Sequence, residues 1–257
     1  MKNNNFLYFF IIGCLSLGIV VQYLFFTNAF KTDKNEINIK VKTIKEKTKL
    51  YSLVAEYPLF PESAIKLNQK IEGYVNKELK DFKEESANNW QARKENAGKK
   101  ENIGEYPAQP FTFALTWNQQ QLNNKFISFV IRTEAFSGGA NPSEEIMTFN
   151  YNIEQKTEVR LADLFSGHAN YLKTISEYVR NNLKEDLEIK QVLDMPDIKT
   201  MFMEGTAPKE KNFDKFTFDG KVIKFYFPVY QLGPRTLGER TVLYYRDIIP
   251  VPENKSL

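Results

Sequence analysis

The chain has 257 residues, 42% of them hydrophobic and 26% charged, with 12 Gly and 11 Pro, the composition of a folded protein with room for one core or two small ones. A formal net charge of +3 with no basic stripe excludes a dedicated nucleic-acid binder. One His and one Cys exclude a multi-His or Cys-rich metal centre and a disulfide framework, and no cofactor motif is present.

Phe6 to Phe26 is an apolar run interrupted only by small residues and Gln22. About 20 helical residues span a hydrocarbon core of about 30 Å, so residues 1–30 read as a transmembrane anchor or signal. Three fates stay open. The run is retained as a single-pass anchor, or Cys14 in Ile11-Ile12-Gly13-Cys14 is lipidated, or cleavage follows Thr27-Asn28-Ala29. A short polar start before a large C-terminal domain places that domain outside the cytoplasm, at the cell membrane.

Residues 31–49 are Lys-rich and read as a tether leading into an edge strand. Tyr51 to Ala55 continues as strand, and Pro58 is expected to end it. From Glu62 to about Ala87 the residues Ala64, Leu67, Ile71, Val75, Leu79 and Phe82 recur at helical spacing, and the helix can extend toward Gly98. After a loop to Pro110, the alternation of Phe111, Phe113, Leu115 and Trp117 predicts a half-buried strand. Asn123-Asn124 turns into a strand over Phe126–Glu134, Gly138–Pro142 breaks the chain, and further strands follow over Ile146–Ile153 and Glu158–Leu161, as in an antiparallel meander.

A second amphipathic helix begins near Ala169, with Leu172, Ile175, Val179, Leu183 and Leu187 as its stripe. A short helix and loop follow over Gln191 to Met203. Phe216–Phe218 and Val222–Phe227 flank Asp219-Gly220, a two-residue hairpin signal, and Thr241–Tyr245 adds a last strand. The order predicts an α+β fold in which antiparallel sheets are each covered by a long amphipathic helix. Two lobes are expected, over 50–155 and 156–252, with a tail at 253–257.

Chemistry-bearing constellations are few. His168 reads as an exposed or capping residue rather than a base, and no GxSxG elbow accompanies it. Glu144 and Glu145 are neighbours on a predicted strand and face opposite sides, unlike a catalytic dyad. Gly138-Gly139 joins two strands, so it reads as a loop needing positive φ rather than a phosphate cradle. Tyr226, Tyr230, Tyr244 and Tyr245 read first as packed or half-exposed, and some must face outward, where exposed Tyr with Arg, as around Tyr230 to Arg235, suits a recognition surface.

Several segments taken together resemble an extracytoplasmic bacterial domain family. It is found in the ectodomain of the lysozyme-sensing anti-sigma factor RsiV and in the accessory region of the peptidoglycan deacetylase PdaC. The matching pieces are Tyr57-Pro58 with Leu67-Asn68, Phe136–Asn141, Phe149–Phe165 ending in Leu161-Ala162-Asp163-Leu164-Phe165, and Phe225–Pro234 with Gly238. Asn141 stands where family members often carry a His, and neither the deacetylase catalytic domain nor the sigma-binding segment is found. The resemblance implies a membrane-anchored, non-catalytic binding module of the cell envelope, whose partner is cell-wall glycan or a lysozyme-like protein. Its ligand would meet Gly138, Gly139 and Asn141 and the surface of Tyr230 and Arg235. The alternatives are a carboxylate-dependent glycan hydrolase and a scaffold for other membrane proteins.

Overall fold

The computed structural model describes residues 37–97 and 104–245. The expected N-terminal span, its cleavage boxes and the tail at 253–257 lie outside the described residues, among which no helix is long and apolar enough to cross a membrane. Lys34–Leu257 forms one compact unit.

Two strands open it, β1 (Lys40–Lys47) and β2 (Tyr51–Leu59), paired antiparallel. Thr48 turns the hairpin, its Oγ1 accepting from the amides of Leu50 and Tyr51. A 3-10 turn (Glu62–Ala64) leads into α1 (Ile65–Ala97). Its apolar stripe is buried from Leu67 through Ile71, Val75, Leu79 and Phe82 to Trp90. At about 1.5 Å per residue this helix is about 50 Å long, and it carries the chain back to the end of the sheet at which β2 began. The next strand, β3 (Phe111–Leu122), therefore pairs parallel to β2, from Tyr51↔Phe111 to Ala55↔Leu115. The sheet is mixed, which corrects the expected all-antiparallel arrangement: a parallel neighbour needs a crossover, and α1 is one. Pro58 does not end β2, because β3 pairs only as far as Ala55 and Pro58 has β1 as its single partner.

The meander expected after Phe111 forms as β3, β4 (Phe126–Phe136), β5 (Ser143–Asn152) and the two-residue β6 (Thr157–Glu158). One face of this six-stranded sheet packs on α1. At its centre Phe129 stacks on Phe149 at 4.9 Å with the rings 9° apart, and Trp117 meets it edge-on. Asn68, buried on α1, closes the helix entrance by a reciprocal pair: its Nδ2 donates to the Phe60 carbonyl and its Oδ1 accepts from the Phe60 amide.

The rest of the chain builds a smaller layer. A single turn, α2 (Leu161–Leu164), precedes α3 (Tyr171–Leu183), α4 (Leu187–Val192) and α5 (Pro196–Gly205). Strands β7 (Phe216–Phe218), β8 (Val222–Phe227) and β9 (Arg240–Tyr245) form an antiparallel sheet. Ile175, Val179 and Leu183 of α3 join Ile223, Phe225, Phe227, Val242 and Tyr244 in one core. Leu187, expected on that stripe, is 72% exposed. The helix stops at Leu183, and Asp186 starts α4 by accepting from the amides of Glu188 and Ile189, which turns Leu187 outward. The expected second helix is thus two, α3 and α4, and the short helix expected over Gln191 to Met203 forms as α5. The hairpin at Asp219-Gly220 forms with three residues, 219–221, between β7 and β8, and Asp219 Oδ1 accepts from the amides of Lys221 and Val222.

The two sheets are joined by a buried polar network. Among the described residues β7 is an edge strand with β8 alone beside it, and unpaired backbone groups there need partners. Side chains of the first sheet supply them. Asn150 Nδ2 donates to the Phe216 carbonyl at 2.8 Å, Ser128 Oγ accepts from the Phe218 amide at 2.9 Å, and Thr148 Oγ1 accepts from the Phe216 amide at 3.3 Å. Ser128 also donates to Asn150 Oδ1 at 2.7 Å, so the seam is one connected set.

Candidate functional site

The Gly138–Asn141 segment is the exposed connection between β4 and β5. Gly138 has φ of +100°, and a Cβ there would come within 2.9 Å of the Phe111 ring, so conformation and space both require glycine. The loop is fastened to α1: Ser137 Oγ donates to Glu85 at 2.8 Å, and Asn89 Nδ2 donates to the Ser137 carbonyl at 3.1 Å. Gly138 and Gly139 with Asn89, Arg93 and Asn96 line an open cleft of about 520 Å³ at the end of α1, and Asn141 is exposed beside it.

Arg235 reaches the same strand from the second layer, its guanidinium paired with Glu144 three residues past Asn141. Glu145 acts on Glu78 of α1, so the two adjacent acids do take opposite faces. Burial and then Glu145 push the Glu78 carboxyl above its ordinary range. Tyr230 belongs to a separate loop after β8. It is 58% exposed and held at φ of +71°, an uncommon conformation for a bulky residue. The next residue explains why: Gln231 Nε2 donates to the carbonyls of Gly205 and Asn212, both at 2.9 Å, and its own carbonyl packs where a Cβ on Gly205 would lie. The loop is pinned through Gln231, and Tyr230 is left on the outside. The structure thus brings Arg235 near the hairpin, while Tyr230 lines neither the hairpin cleft nor the one described next.

A more enclosed cleft of about 380 Å³ lies where the two layers meet. Leu67 of α1, Thr148 of β5, Leu161 of α2, Tyr171 and Phe216 contribute to its lining. Tyr171 stacks on Phe165 at 5.3 Å, rings 10° apart, and its hydroxyl donates to Glu210 at 3.2 Å. Burial, and then the nearby Glu210 carboxylate, raise the Tyr171 phenol above its ordinary pKa. Lys70 bridges α1 to Glu158 at 2.6 Å on the rim, where Asp214 and Lys215 add further charge. An apolar floor, the aromatic rings of Phe149, Tyr171 and Phe216, and charged groups that both donate and accept suit a polyhydroxylated ligand with an apolar face. Sequence reading missed this cleft, because its residues run from Leu67 to Phe216 and share no motif.

His168 lies between α2 and α3 and is half-buried. Its Nε2 is enclosed without a hydrogen-bond partner among the described residues. It is neither the exposed nor the capping residue expected, because its ring nitrogen is enclosed and the N-cap position of α3 is taken by Asn170. No group of three or more His, Cys, Asp or Glu side chains among the described residues is placed to hold a metal ion.

A mixed sheet backed by one long helix, joined through a polar seam to a smaller α+β layer, corresponds to two family models in succession. Residues 44–144 match the family described as "Deacetylase PdaC", and residues 162–243 match "Protein of unknown function (DUF3298)". The chain therefore carries a PdaC/DUF3298-type domain. The hairpin cleft lies in the first segment, Tyr230 and Arg235 lie in the second, and the enclosed cleft draws on both.

Among individual proteins, the chain is 24% identical over 222 residues to the peptidoglycan-N-acetylmuramic acid deacetylase PdaC of Bacillus subtilis. The match takes in 86% of this chain and 43% of that enzyme, so the chain spans less than half of its relative's length. A crystal structure of a DUF3298 family member from Bacteroides fragilis superposes with a TM-score of 0.55 at 17% identity, covering 84% of this chain and 94% of that one. A DUF3298 family protein from Pseudomonas aeruginosa gives 0.51 at 10% identity, covering 82% and 91%. These two likenesses establish the fold.

Proposed function

We propose that the chain is an extracytoplasmic binding module of the bacterial cell envelope, non-catalytic, held at the membrane by residues 6–26 and recognising cell-wall glycan. The observation that carries this reading is the match of 86% of the chain to a protein named for a peptidoglycan reaction. The chemistry agrees with it. The chain has one His and one Cys, the latter within the N-terminal apolar run, and the cleft between the layers pairs an aromatic ring with carboxylates and ammonium groups. The glycan would enter that cleft against Tyr171. The Gly138–Asn141 hairpin and the loop of Tyr230 and Arg235 are the second surface at which it would be met.

The test is sedimentation of the Lys34–Leu257 unit with insoluble peptidoglycan at near-physiological salt, beside immobilised lysozyme. Saturable binding to peptidoglycan is expected, weakened by Tyr171→Ala and to a smaller degree by Asn141→Ala and Tyr230→Ala. Binding to lysozyme alone would replace the glycan with a protein partner. Release of reducing sugar from peptidoglycan would overturn the non-catalytic reading in favour of a carboxylate-dependent hydrolase.

A further inference from the structure

The enclosed cleft runs along a strand edge whose backbone groups are not used up. Residues of an antiparallel strand turn their amide and carbonyl to one neighbour and then the other in alternation. In β5 the odd-numbered residues turn to β4, and just past the strand the Ile153 amide continues the pattern by donating to the Lys125 carbonyl at 2.8 Å. The even-numbered residues turn away, and the last two find β6 there. Asn152 pairs with Thr157, and the Asn150 carbonyl accepts from the Val159 amide at 2.9 Å. Strand β6 then ends after two residues, and the chain leaves for α2. Thr148 and Ile146 come next along the edge. Among the described residues no strand lies beside them there, and no backbone group bonds their outward amides and carbonyls. The Thr148 side chain is occupied elsewhere, its Oγ1 accepting from the Phe216 amide.

A free strand edge is common at a protein surface, but this one is part of a cleft wall. Thr148 lines the cleft, and Leu67 of α1 and Leu161 of α2 line it too. Backbone groups flanked by apolar side chains have less water to bond, and an added strand satisfies them. Ile146 and Thr148 stand about 7 Å apart along the strand, the repeat at which an extended peptide presents its own amides and carbonyls. A pyranose ring carries no donors and acceptors at that repeat, and pairing with two edge residues takes only a short peptide. We propose that the ligand of this cleft is a peptide-bearing wall glycan, whose peptide lies along β5 as an added strand while its sugar meets Tyr171. The inference rests on the glycan reading above and names the part of the wall polymer that the strand edge selects.

The test is calorimetric titration of the full chain, purified in mild detergent, with soluble disaccharide fragments of peptidoglycan. One fragment keeps its peptide, and the other has lost it to an amidase. The peptide-bearing fragment is expected to bind about tenfold or more tighter, the gain that goes with one or two net hydrogen bonds. Thr148→Pro removes the outward amide and should abolish that advantage. Lys45→Pro makes the same change on the exposed outer edge of β1 and should keep it. Equal binding of the two fragments by wild type, or an undiminished advantage in Thr148→Pro, overturns the added strand and leaves the glycan reading standing. Binding of neither fragment overturns the glycan reading and this inference with it. Should Thr148→Pro fail to fold, amide hydrogen exchange of the wild-type chain gives the answer. The Thr148 amide must exchange more slowly with the peptide-bearing fragment than with the stripped one, and equal exchange overturns the inference.

Discussion

Replacing Asn150 by Ala tests the seam between the two sheets. The Asn150 side chain is buried and holds two partners, accepting from Ser128 Oγ and donating to the Phe216 carbonyl. Ala removes both contacts and leaves a carbonyl and a hydroxyl to find others. Each buried polar group left unpaired costs about 1–3 kcal/mol. Asn150 also borders the enclosed cleft, from which water can reach part of the gap, so the lower half of the range applies. The expected loss is about 2–4 kcal/mol. For a chain of this length about 1 kcal/mol corresponds to about 2–4 °C in Tm, giving a fall of about 5–15 °C. The assay is thermal and urea unfolding of the Lys34–Leu257 unit, with the urea slope unchanged if the transition stays two-state. Because Ser128 belongs to the same connected set, the Ser128→Ala/Asn150→Ala double variant should lose less than the sum of the single losses. A loss below about 0.5 kcal/mol for Asn150→Ala, or strict additivity, would refute the claim that this network seats β7.

Gly138→Ala is expected to destabilise by about 1–3 kcal/mol, since Ala at φ of +100° is strained and its methyl meets the Phe111 ring; urea unfolding reads the loss. Tyr230→Gly relieves the left-handed strain at an exposed position, so stability should hold or rise by about 1 kcal/mol, while glycan binding through that loop falls in the sedimentation assay. Tyr244 carries a buried hydroxyl with no hydrogen-bond partner among the described residues, so Tyr244→Phe should be neutral or stabilising by about 1 kcal/mol at pH 7. Burial, and then Tyr178, push its phenol up to about 12. A folded-state pKa raised above the unfolded value near 10 gives stability that is full below about pH 10 and lost as pH rises toward about 12. Wild type should therefore lose more stability than Tyr244→Phe between pH 9 and pH 11.5, and parallel curves would refute this.

Much of the fold was legible because its signals are local. The three- and four-residue spacing from Leu67 to Phe82 marks the buried face of α1, and the alternation from Phe111 to Leu115 marks the inward face of β3. Asp219-Gly220 and Gly138 announce turns through their backbone freedom, with φ of +90° and +100° at the two glycines. The parallel pairing of β2 with β3 was not legible, because periodicity tells which face of a strand is buried but not which neighbour it takes. The break at Asp186 was hidden for a related reason. Leu187 continues the apolar spacing, yet a capping carboxylate one residue earlier overrides it.

The candidate sites divide along the same line. The Gly138–Asn141 loop and Tyr230 could be singled out from turn chemistry and exposed aromatics, and the structure gives each a physical reason for its conformation. The enclosed cleft could not. Tyr171 is an ordinary member of a helix in sequence, and only packing puts Glu210 beside it.

The central claim is that the cleft between the layers holds cell-wall glycan, and the most direct measurement is a binding isotherm of the Lys34–Leu257 unit on insoluble peptidoglycan with Tyr171→Ala alongside. The account predicts a saturable isotherm for wild type and at least a tenfold weaker one for Tyr171→Ala, from the loss of one aromatic contact and its hydroxyl. Equal isotherms for the two proteins, or no retention of wild type, would contradict it.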